Sequence, residues 1–469
     1  MMQTILGKTE SLCPICLQGV PAVRIADGEN VYLEKTCREH GSYRALIWKG
    51  AANFLAWGQG SRPPAKTHQQ PGTRVGRGCP NDCGLCPEHE QDTCSAVIEV
   101  VRRCNLGCPV CFAASTSEHD QPPSIEALRA VLDHLLVAAG RVPIQLSGGE
   151  PTLRDDLPEI VALASSLGFP HIQLNTNGIR IGRDKEYLRG LKNAGLSAVF
   201  LQWDGLDDAV YRAVRGADLL QMKRSALDNC AELHLGVILV PTLVPGVNTD
   251  QIGGIVQFAK AWMPTVRGVH FQPISYFGRY PHAPEDENRF TIPQLLECLE
   301  SQTEGEVCRS DFAASEPRYC SFSGLFVLEA DGRLRGISAS VGPGMAGGED
   351  DLSPAERTRR YIARKWRYAE HEAEGCCGCQ STSESPFYSR ARAYSLSISG
   401  MAFQDVWNVD IERLRRCCIH VATLDGGLVP LCAYYLTGTN GCRIYPREGS
   451  SSRPALVPPV SDAAAPTAT

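Results

Sequence analysis

Three closely spaced cysteines are the residues of this sequence most able to do chemistry. Cys104, Cys108 and Cys111 lie in the stretch IEVVRRCNLGCPVCFA with the spacing Cys-x3-Cys-x2-Cys. Three thiolates at this spacing suit three irons of a cubane iron–sulfur cluster, which a fourth protein cysteine would close. We therefore predict that these cysteines are metal ligands and catalytic, with one iron left open. A closed zinc site or a group of buried free thiols is the alternative interpretation.

An open iron can bind a small molecule, and S-adenosylmethionine (SAM) has the amino and carboxylate groups to do so. One electron from the cluster would then break a carbon–sulfur bond and release a 5′-deoxyadenosyl radical. Such a radical removes hydrogen from an unactivated carbon. The protein's part in this chemistry is to position the cofactor and shield the radical.

The elements around the cysteines are those needed to position such a site. Residues 97–101 form a short apolar run typical of a strand, and a helical pattern begins at Ser124. The next predicted strand runs into Gly148, Gly149 and Glu150. Glycines allow the backbone to come close to a ligand, and a carboxylate can pair with an ammonium group.

Apolar strands and helices alternate from residue 97 onward, which predicts parallel βα units. Six strands are predicted, so a partial (βα)6 barrel fits better than a full eight-stranded one. The active sites of such barrels lie at the carboxyl ends of the strands. Besides the cysteines and the Gly-Gly-Glu element, the polar residues expected around that mouth are Asn175, Asn177, Gln202, Asp204, Asn248 and Gln272.

A second triad with the same spacing precedes the first, at Cys79, Cys83 and Cys86. On spacing alone, either triad could hold the open cluster. Cys94 follows the upstream triad and can supply a fourth thiolate, whereas only the downstream triad is followed by the predicted barrel. We therefore predict that the upstream four cysteines form a closed auxiliary cluster.

Two more groups of cysteines indicate further metal sites. The pairs Cys13/Cys16 and Cys37/His40 suit one tetrahedral zinc or a rubredoxin-like iron. Near the carboxyl end, a helix followed by a β-hairpin carries Cys417 and Cys432, which we expect to bind a second auxiliary cluster. The competing candidates for its remaining ligands are Cys320, Cys376, Cys377 and Cys379, while Cys376 and Cys418 are left as reactive or packed thiols.

Composition places these sites in a large chain with no strong charge. The 469 residues are enough for about three domains. We predict a ribbon and auxiliary-cluster segment at 1–94, a core at 95–310, a cysteine-rich region at 311–447 and a disordered tail at 448–469. The 21 cysteines fall in metal-type spacings without an apolar signal segment, which favours the cytoplasm. A net charge of −6 without a basic stripe argues against nucleic acid, and no apolar run is long enough for a membrane span.

Taken together, the motifs CPNDCGLCPEHEQDTC, CNLGCPVCF, QLSGGEPTLRDDLPEI, LNTNGIR, LQWDG, VPTLVPGVN and RCCIH resemble the radical SAM superfamily. They are most similar to the branch that contains the archaeal tetraether lipid synthase and the dihydropterin dimethyltransferase of methanopterin synthesis. The sequence departs from that pattern at Val110, where the superfamily often has an aromatic residue, and at Ser315, where a partner for Cys320 is expected.

The resemblance implies roles for several residues. Gly148, Gly149 and Glu150 would hold the methionyl amino group of SAM, and Gln202 and Asp204 would lie where the family contacts the SAM ribose. Asn175 and Asn177, on the preceding strand, are further cofactor-binding candidates.

The predicted function is SAM cleavage followed by carbon–carbon coupling or C-methylation of a lipid or pterin-like molecule. The expected cofactors are the open [4Fe-4S] cluster, SAM, one or two auxiliary [4Fe-4S] clusters and a mononuclear zinc or iron. The expected partners are that substrate and an electron donor such as flavodoxin or ferredoxin. The alternatives are a maturase that modifies a peptide or protein partner, and a non-catalytic iron–sulfur electron carrier or scaffold.

Overall fold

The structure is a computed structural model that describes residues 3–58, 73–118, 121–315, 319–337, 352–369 and 386–445. Cys376, Cys377 and Cys379 lie outside the described residues, as does the predicted disordered tail at 448–469.

The amino-terminal module is an antiparallel sheet of four strands that pair in chain order. Its elements are β1 (Thr4–Leu12), β2 (Gly19–Asp27), β3 (Asn30–Cys37), β4 (Gly41–Lys49) and the helix α1 (Ala51–Gly58). Because β1 and β3 are both antiparallel to β2, their carboxyl ends lie at the same edge of the sheet. The turns after Leu12 and Cys37 therefore come together.

The core is a sheet in which successive strands pair in parallel and in chain order. These strands are β5 (Ser95–Val101), β6 (Ile144–Gly148), β7 (Ile172–Thr176), β8 (Ala198–Gln202), β9 (Gly236–Val240) and β11 (Val266–Pro273), with the short β10 (Thr242–Leu243) paired to β11. This arrangement confirms the predicted α/β class. It also brings the carboxyl ends of the six longer strands to one edge of the sheet.

Helices cross between the strands and bury one face each. They are α2 (Ile125–Ala139), α3 (Leu157–Ser166), α4 (Ile179–Arg183), α5 (Lys185–Ala194), α6 (Asp208–Arg215), α7 (Leu220–Glu232), α8 (Ile252–Ala261) and α9 (Ile292–Gln302). In α2 the N-cap Ser124 accepts a hydrogen bond from the Ala127 amide, as its sequence predicts. The buried residues Leu128, Leu132 and Leu135 follow the spacing of a single helical face.

The carboxyl-terminal region extends the core sheet at both edges. Its strands are β12 (Ala313–Ser315), β13 (Ser321–Leu328), β14 (Leu334–Gly336), β15 (Ser395–Met401), β16 (Ile419–Ala422) and β17 (Leu428–Pro430). Its helices are α10 (Pro354–Lys365), α11 (Pro386–Ala393), α12 (Ile411–Arg415) and α13 (Leu431–Tyr435). Strand β15 pairs in parallel with β11, and β16 pairs in parallel with β5. The helix and hairpin were predicted, but their union with the core sheet was not.

Within the described residues, none of the helices combines the length and the apolar composition that a bilayer crossing requires.

The buried histidine that directly precedes β7 predicts how the stability of the protein depends on pH. His171 is fully buried, and neither ring nitrogen has a hydrogen-bond partner within the described residues. Burial, with a smaller effect from Arg367, lowers the pKa of His171 to about 3. Below the unfolded pKa of about 6.5, the unfolded chain binds a proton that the folded one excludes, so stability is lost as pH falls.

The substitution His171→Leu should therefore stabilise the protein, because it removes unpartnered buried nitrogens and the titration together. The gain should be about 1–3 kcal/mol at pH 7.5. It should grow below pH 6.5 by roughly 1.4 kcal/mol per pH unit. Chemical denaturation of the variant and the parent at pH 7.5 and 5.5 measures both effects. An equal gain at the two pH values would contradict this account of His171.

Candidate active site and metal centres

The downstream cysteines lie on a loop that follows β5 and line a cavity of about 780 Å³. A second loop, after β11, pairs with this one: the Cys111 and Arg279 backbones exchange hydrogen bonds of 2.9 and 2.8 Å. The Arg279 guanidinium also donates to the Cys108 carbonyl at 2.7 Å. Gly278 has φ +71° and lies so close that a Cβ would be 2.3 Å from the Phe112 carbonyl oxygen. The cysteine loop is thus held by the backbone of the loop after β11 and by the Arg279 side chain.

The glycines at the end of β6 pack directly on the same loop. A Cβ on Gly148 would lie 2.0 Å from the Val101 oxygen, and one on Gly149 would lie 2.1 Å from the Arg103 oxygen. The Gly149 amide donates to Val101 at 2.8 Å. A larger residue at either position would force the strand away from the cysteines. These glycines are therefore required for packing, in addition to the cofactor role that the sequence indicated.

Glu150 is buried and accepts hydrogen bonds on both carboxylate oxygens. Its Oε1 accepts from the Thr152 amide and hydroxyl and from the Thr176 hydroxyl, at 3.1, 2.6 and 2.6 Å. Its Oε2 accepts from the Asn177 amide at 2.7 Å. Burial raises the pKa of Glu150, while these donors oppose the rise. Since an ionised carboxylate has about four lone-pair sites, Oε2 still has capacity for one further donor such as an ammonium group.

The asparagines of β7 and the following turn also line the cavity. The Asn177 side chain donates to Asn105, within the cysteine loop, at 2.8 Å. Asn175 donates to Gln145 on β6 at 3.2 Å. The structure therefore brings both predicted residues to the cavity, where Asn177 ties β7 to the cysteine loop.

Asp204 occupies a different environment from the one expected for a ribose contact. Its carboxylate is fully buried and forms two hydrogen bonds with the Arg215 guanidinium, at 2.7 and 2.6 Å. Burial opposes the charge on Arg215, but the Asp204 carboxylate outweighs it and raises the Arg215 pKa. Arg215 and Gln202 line the cavity, whereas Asp204 does not. Arg215 also donates to the Val110 carbonyl in the cysteine loop at 3.0 Å.

Lys223 is a further buried charge that was not singled out from the sequence. Its ammonium group donates to the Asn177 and Gln202 carbonyls at 3.0 and 2.7 Å. Burial lowers the pKa of Lys223 to about 8. Arg215 and Lys223 lie on helices whose local sequence shows nothing unusual, so no sequence signal marks them. The Asn248 amide, predicted near the mouth, donates to the Asp204 carbonyl at 2.8 Å and is itself fully buried.

The upstream cysteines are held by a different part of the chain. The Cys83 amide donates to the Tyr445 hydroxyl at 3.0 Å, and the neighbouring Cys83 thiol and burial raise the pKa of Cys79. Cys94 lies against Cys418, with 2.6 Å between the two sulfur atoms. Both of these thiols line the main cavity. Cys418 was left as a reactive or packed thiol on sequence grounds, and this contact makes it a candidate ligand alongside Cys94.

Three carboxyl-terminal cysteines line a second, smaller cavity: Cys320, Cys417 and Cys432. The Arg413 guanidinium donates to the Cys320 sulfur at 2.9 Å, and the Gln404 amide donates to the Cys432 sulfur at 3.3 Å. Burial raises the pKa of Cys432 to about 12. A bound metal or a positive charge favours the thiolate form, so these donors suit a site that holds thiolates.

The amino-terminal module brings its four predicted ligands together. One ligand atom each from Cys13, Cys16, Cys37 and His40 lies within 4.8 Å of the others. Three sulfurs and one imidazole nitrogen form a donor set that zinc binds with tetrahedral geometry. The turns after β1 and β3 meet at one edge of the sheet, so the strand order itself assembles this site.

Known proteins share both the core and the ribbon of this chain. The family model "Radical SAM superfamily" matches residues 98–259, and the model "HMPTM N-terminal zinc ribbon domain" matches residues 5–49. The 7,8-dihydro-6-hydroxymethylpterin dimethyltransferase of Methanocaldococcus jannaschii is 34% identical over 91% of this chain and 93% of its own length. The chain belongs to the radical SAM superfamily. The predicted membership and the prediction of an enzyme are thereby confirmed.

Other relatives of this radical SAM protein match a smaller share of the chain. The GTP 3′,8-cyclase of Synechococcus elongatus is 31% identical over 38% of this chain and 54% of its own length. The Fe-coproporphyrin III synthase of Methanosarcina barkeri is 38% identical over 29% of this chain and 33% of its own length.

Membership of the radical SAM superfamily implies a [4Fe-4S] cluster and SAM, and the cavity residues fit both. The three thiols of one loop supply the soft donors that an iron–sulfur cluster needs. Gly148 and Gly149 border the same cavity. Because neither has a side chain, the end of β6 can pack directly on the cysteine loop.

The pairing of Asp204 with Arg215 predicts that Asp204 stabilises the fold, in contrast to the expected role as a contact of the SAM ribose. Asp204→Ala leaves a buried guanidinium without its partner, which should destabilise the radical SAM protein by about 3–5 kcal/mol. Asp155 is the matched control, because it pairs with Arg180 while its side chain is 92% exposed. Asp155→Ala should cost less than about 1 kcal/mol. Urea unfolding of both variants measures the difference, and similar losses would contradict the structural role of Asp204.

Proposed function

We propose that this radical SAM enzyme methylates a carbon atom of a pterin-like heterocycle. The observation that carries the proposal is a cavity of about 780 Å³ that is lined by the cysteine loop and by strands of the core sheet, with several amide and hydroxyl side chains among mostly apolar neighbours. Sites of that size hold small molecules and use a few placed polar groups to orient them. The similarity to a pterin dimethyltransferase along almost the whole chain supports the same substrate class.

A small set of polar side chains in this mostly apolar lining favours a heterocycle over a lipid chain. Side chains of this kind come from β6, β7, β8, β11 and β15: Gln145, Asn175, Gln202, Gln272 and Ser399. Gln145, Asn175, Gln202 and Ser399 already bond within the protein. The amide groups of the Gln272 side chain have no hydrogen-bond partner among the described residues, and a saturated lipid chain would leave them unpaired. A ring with several nitrogen and oxygen atoms would pair with them. The convergence of these strands on one cavity also supports a partial (βα)6 barrel.

We propose that Cys104, Cys108 and Cys111 hold the open cluster and that Gly148, Gly149 and Glu150 bind the methionyl end of SAM. When bound, the cluster and SAM supply the radical that removes hydrogen from carbon. The protein's own residues keep the cysteine loop in place. Arg279 and Arg215 donate to two carbonyls of that loop, Cys108 and Val110. Asn175, Asn177 and Gln202 border the same cavity as further cofactor-binding candidates.

The remaining metal sites support this centre. We assign a zinc ion to Cys13, Cys16, Cys37 and His40. One auxiliary cluster is assigned to Cys79, Cys83 and Cys86, with Cys94 or Cys418 as the fourth ligand. A second is assigned to Cys320, Cys417 and Cys432. Flavodoxin or ferredoxin is the proposed electron donor. In this division, residues 1–94 and 311–447 carry the accessory metals and residues 95–310 carry the reaction.

Cysteine substitutions distinguish the two triads. Cys108→Ala should abolish 5′-deoxyadenosine formation and leave zinc and auxiliary iron in place, because it removes one donor of the open cluster only. Cys83→Ala should lower the iron content and spare SAM cleavage in the absence of substrate. Cys230→Ala is the control, since this buried thiol lies on α7 and does not line the cavity. Metal analysis and chromatography of the anaerobically reconstituted variants provide the measurements. Cleavage retained by Cys108→Ala but lost in Cys83→Ala would exchange the two assignments.

The substrate class is tested with 7,8-dihydro-6-hydroxymethylpterin, SAM and a strong reductant. We expect substrate-dependent 5′-deoxyadenosine and, when a one-carbon donor is added as the source of the methyl groups, a methylated pterin product detected by mass spectrometry. The matched reaction replaces the pterin with a glycerol-linked lipid of equal concentration. Turnover of the lipid, with none of the pterin, would overturn the proposed substrate class while leaving the superfamily membership intact.

A further inference from the structure

Two polar side chains on β11 face the cavity together. His270 and Gln272 are two residues apart, so they lie on the same face of the strand, and both line the cavity. The intervening Phe271 and the preceding Val269 are fully buried in the main apolar core on the opposite face. The alternation of apolar and polar residues along β11 therefore places the His270 and Gln272 side chains toward the cavity. Neither the cysteine loop nor the Gly-Gly-Glu element makes a hydrogen bond to either side chain within the described residues.

The hydrogen-bonding groups of this pair are only partly used by the protein. The His270 Nδ1 lies 2.9 Å from the Ser399 hydroxyl on β15, which fixes the ring and leaves Nε2 for another partner. Gln272 uses its backbone amide to donate to the Pro241 carbonyl at 2.9 Å. Among the described residues, its side-chain amide has no hydrogen-bond partner. Gln145 and Asn175, in contrast, satisfy part of each other's capacity across the cavity wall.

An aromatic wall stands beside the pair. The Phe200 ring lies 5.5 Å from the His270 ring, and the Trp366 ring lies 5.4 Å from Phe200. All three rings line the cavity. Such a surface suits a flat ligand, because aromatic rings pack against each other in offset or edge contacts. Burial lowers the pKa of His270 to about 4, so the imidazole is neutral near pH 7.

We infer that Gln272 and His270 recognise the lactam and amino edge of a 2-amino-4-oxo heterocycle. The Gln272 amide oxygen accepts from the ring N–H, and its NH2 group donates to the ring carbonyl. His270, in the tautomer that donates Nδ1–H to Ser399, accepts from the exocyclic amino group through Nε2. An amide side chain makes the same kind of two-point contact with a nucleobase edge. This inference rests on the proposed function and adds the residues that would determine substrate specificity.

Gln272→Leu tests the inference most directly, because leucine keeps the approximate volume and removes both amide groups. Binding of 7,8-dihydro-6-hydroxymethylpterin to the anaerobic holoenzyme should weaken by about 10- to 100-fold. The 5′-deoxyadenosine formed without substrate should stay within roughly twofold of the parent, since the cofactor site is unchanged. Gln257→Leu is the matched control: its amide lies on α8 and donates to Glu306 at an exposed position. It should alter neither measurement.

A second probe isolates His270. The 2-oxo analogue of the same pterin, a lumazine, replaces the amino group with a carbonyl. The parent enzyme should prefer the pterin by about 10-fold or more, and His270→Leu should lose that preference. Equal pterin binding by Gln272→Leu and the parent would overturn the inference but not the proposed function. A parent enzyme that binds neither ring, although it cleaves SAM, would overturn both the pterin assignment and this inference.

Discussion

The close approach of two backbones is the constraint on which the rest of the site depends. At the end of β6, Gly148 and Gly149 lie against the carbonyls of Val101 and Arg103, at distances that no Cβ would permit. This contact sets the position of the cysteine loop relative to the sheet. The other groups of the site are positioned relative to that loop. Arg215 and Arg279 donate hydrogen bonds to its carbonyls, and the remaining side chains line the cavity next to it.

Buried polar networks then fix the backbone of the loop. The Arg215 guanidinium joins Asp204, after β8, to the Val110 carbonyl in the loop. Glu150 gathers donors from its own turn and from β7. Because buried charges are costly unless paired, these side chains have few alternative arrangements. The three cysteines line the cavity, while the backbone around them is held by other groups.

The carboxyl-terminal region completes the cavity instead of forming a separate layer. Strands β15 and β16 join the two ends of the parallel series, next to β11 and β5. As a result, Ser399 reaches His270, and Cys418 lies against Cys94 on the wall of the same cavity. Trp366, the residue that ends helix α10, lines the same cavity and packs against the Phe200 ring. The wall of this cavity is therefore built from segments distant in the chain.

Local patterns in the sequence determined the α/β alternation, the helix starting after Ser124 and the grouping of Cys13, Cys16, Cys37 and His40. Each depends on residues close together in the chain, on strand periodicity or on short ligand spacings. Tertiary structure alone decided that Asp204 pairs with Arg215, that Cys94 meets Cys418, and that His270 and Gln272 share a cavity with the cysteine loop. Those contacts depend on which strands become neighbours and how deeply a charge is buried, and spacing along the chain encodes neither.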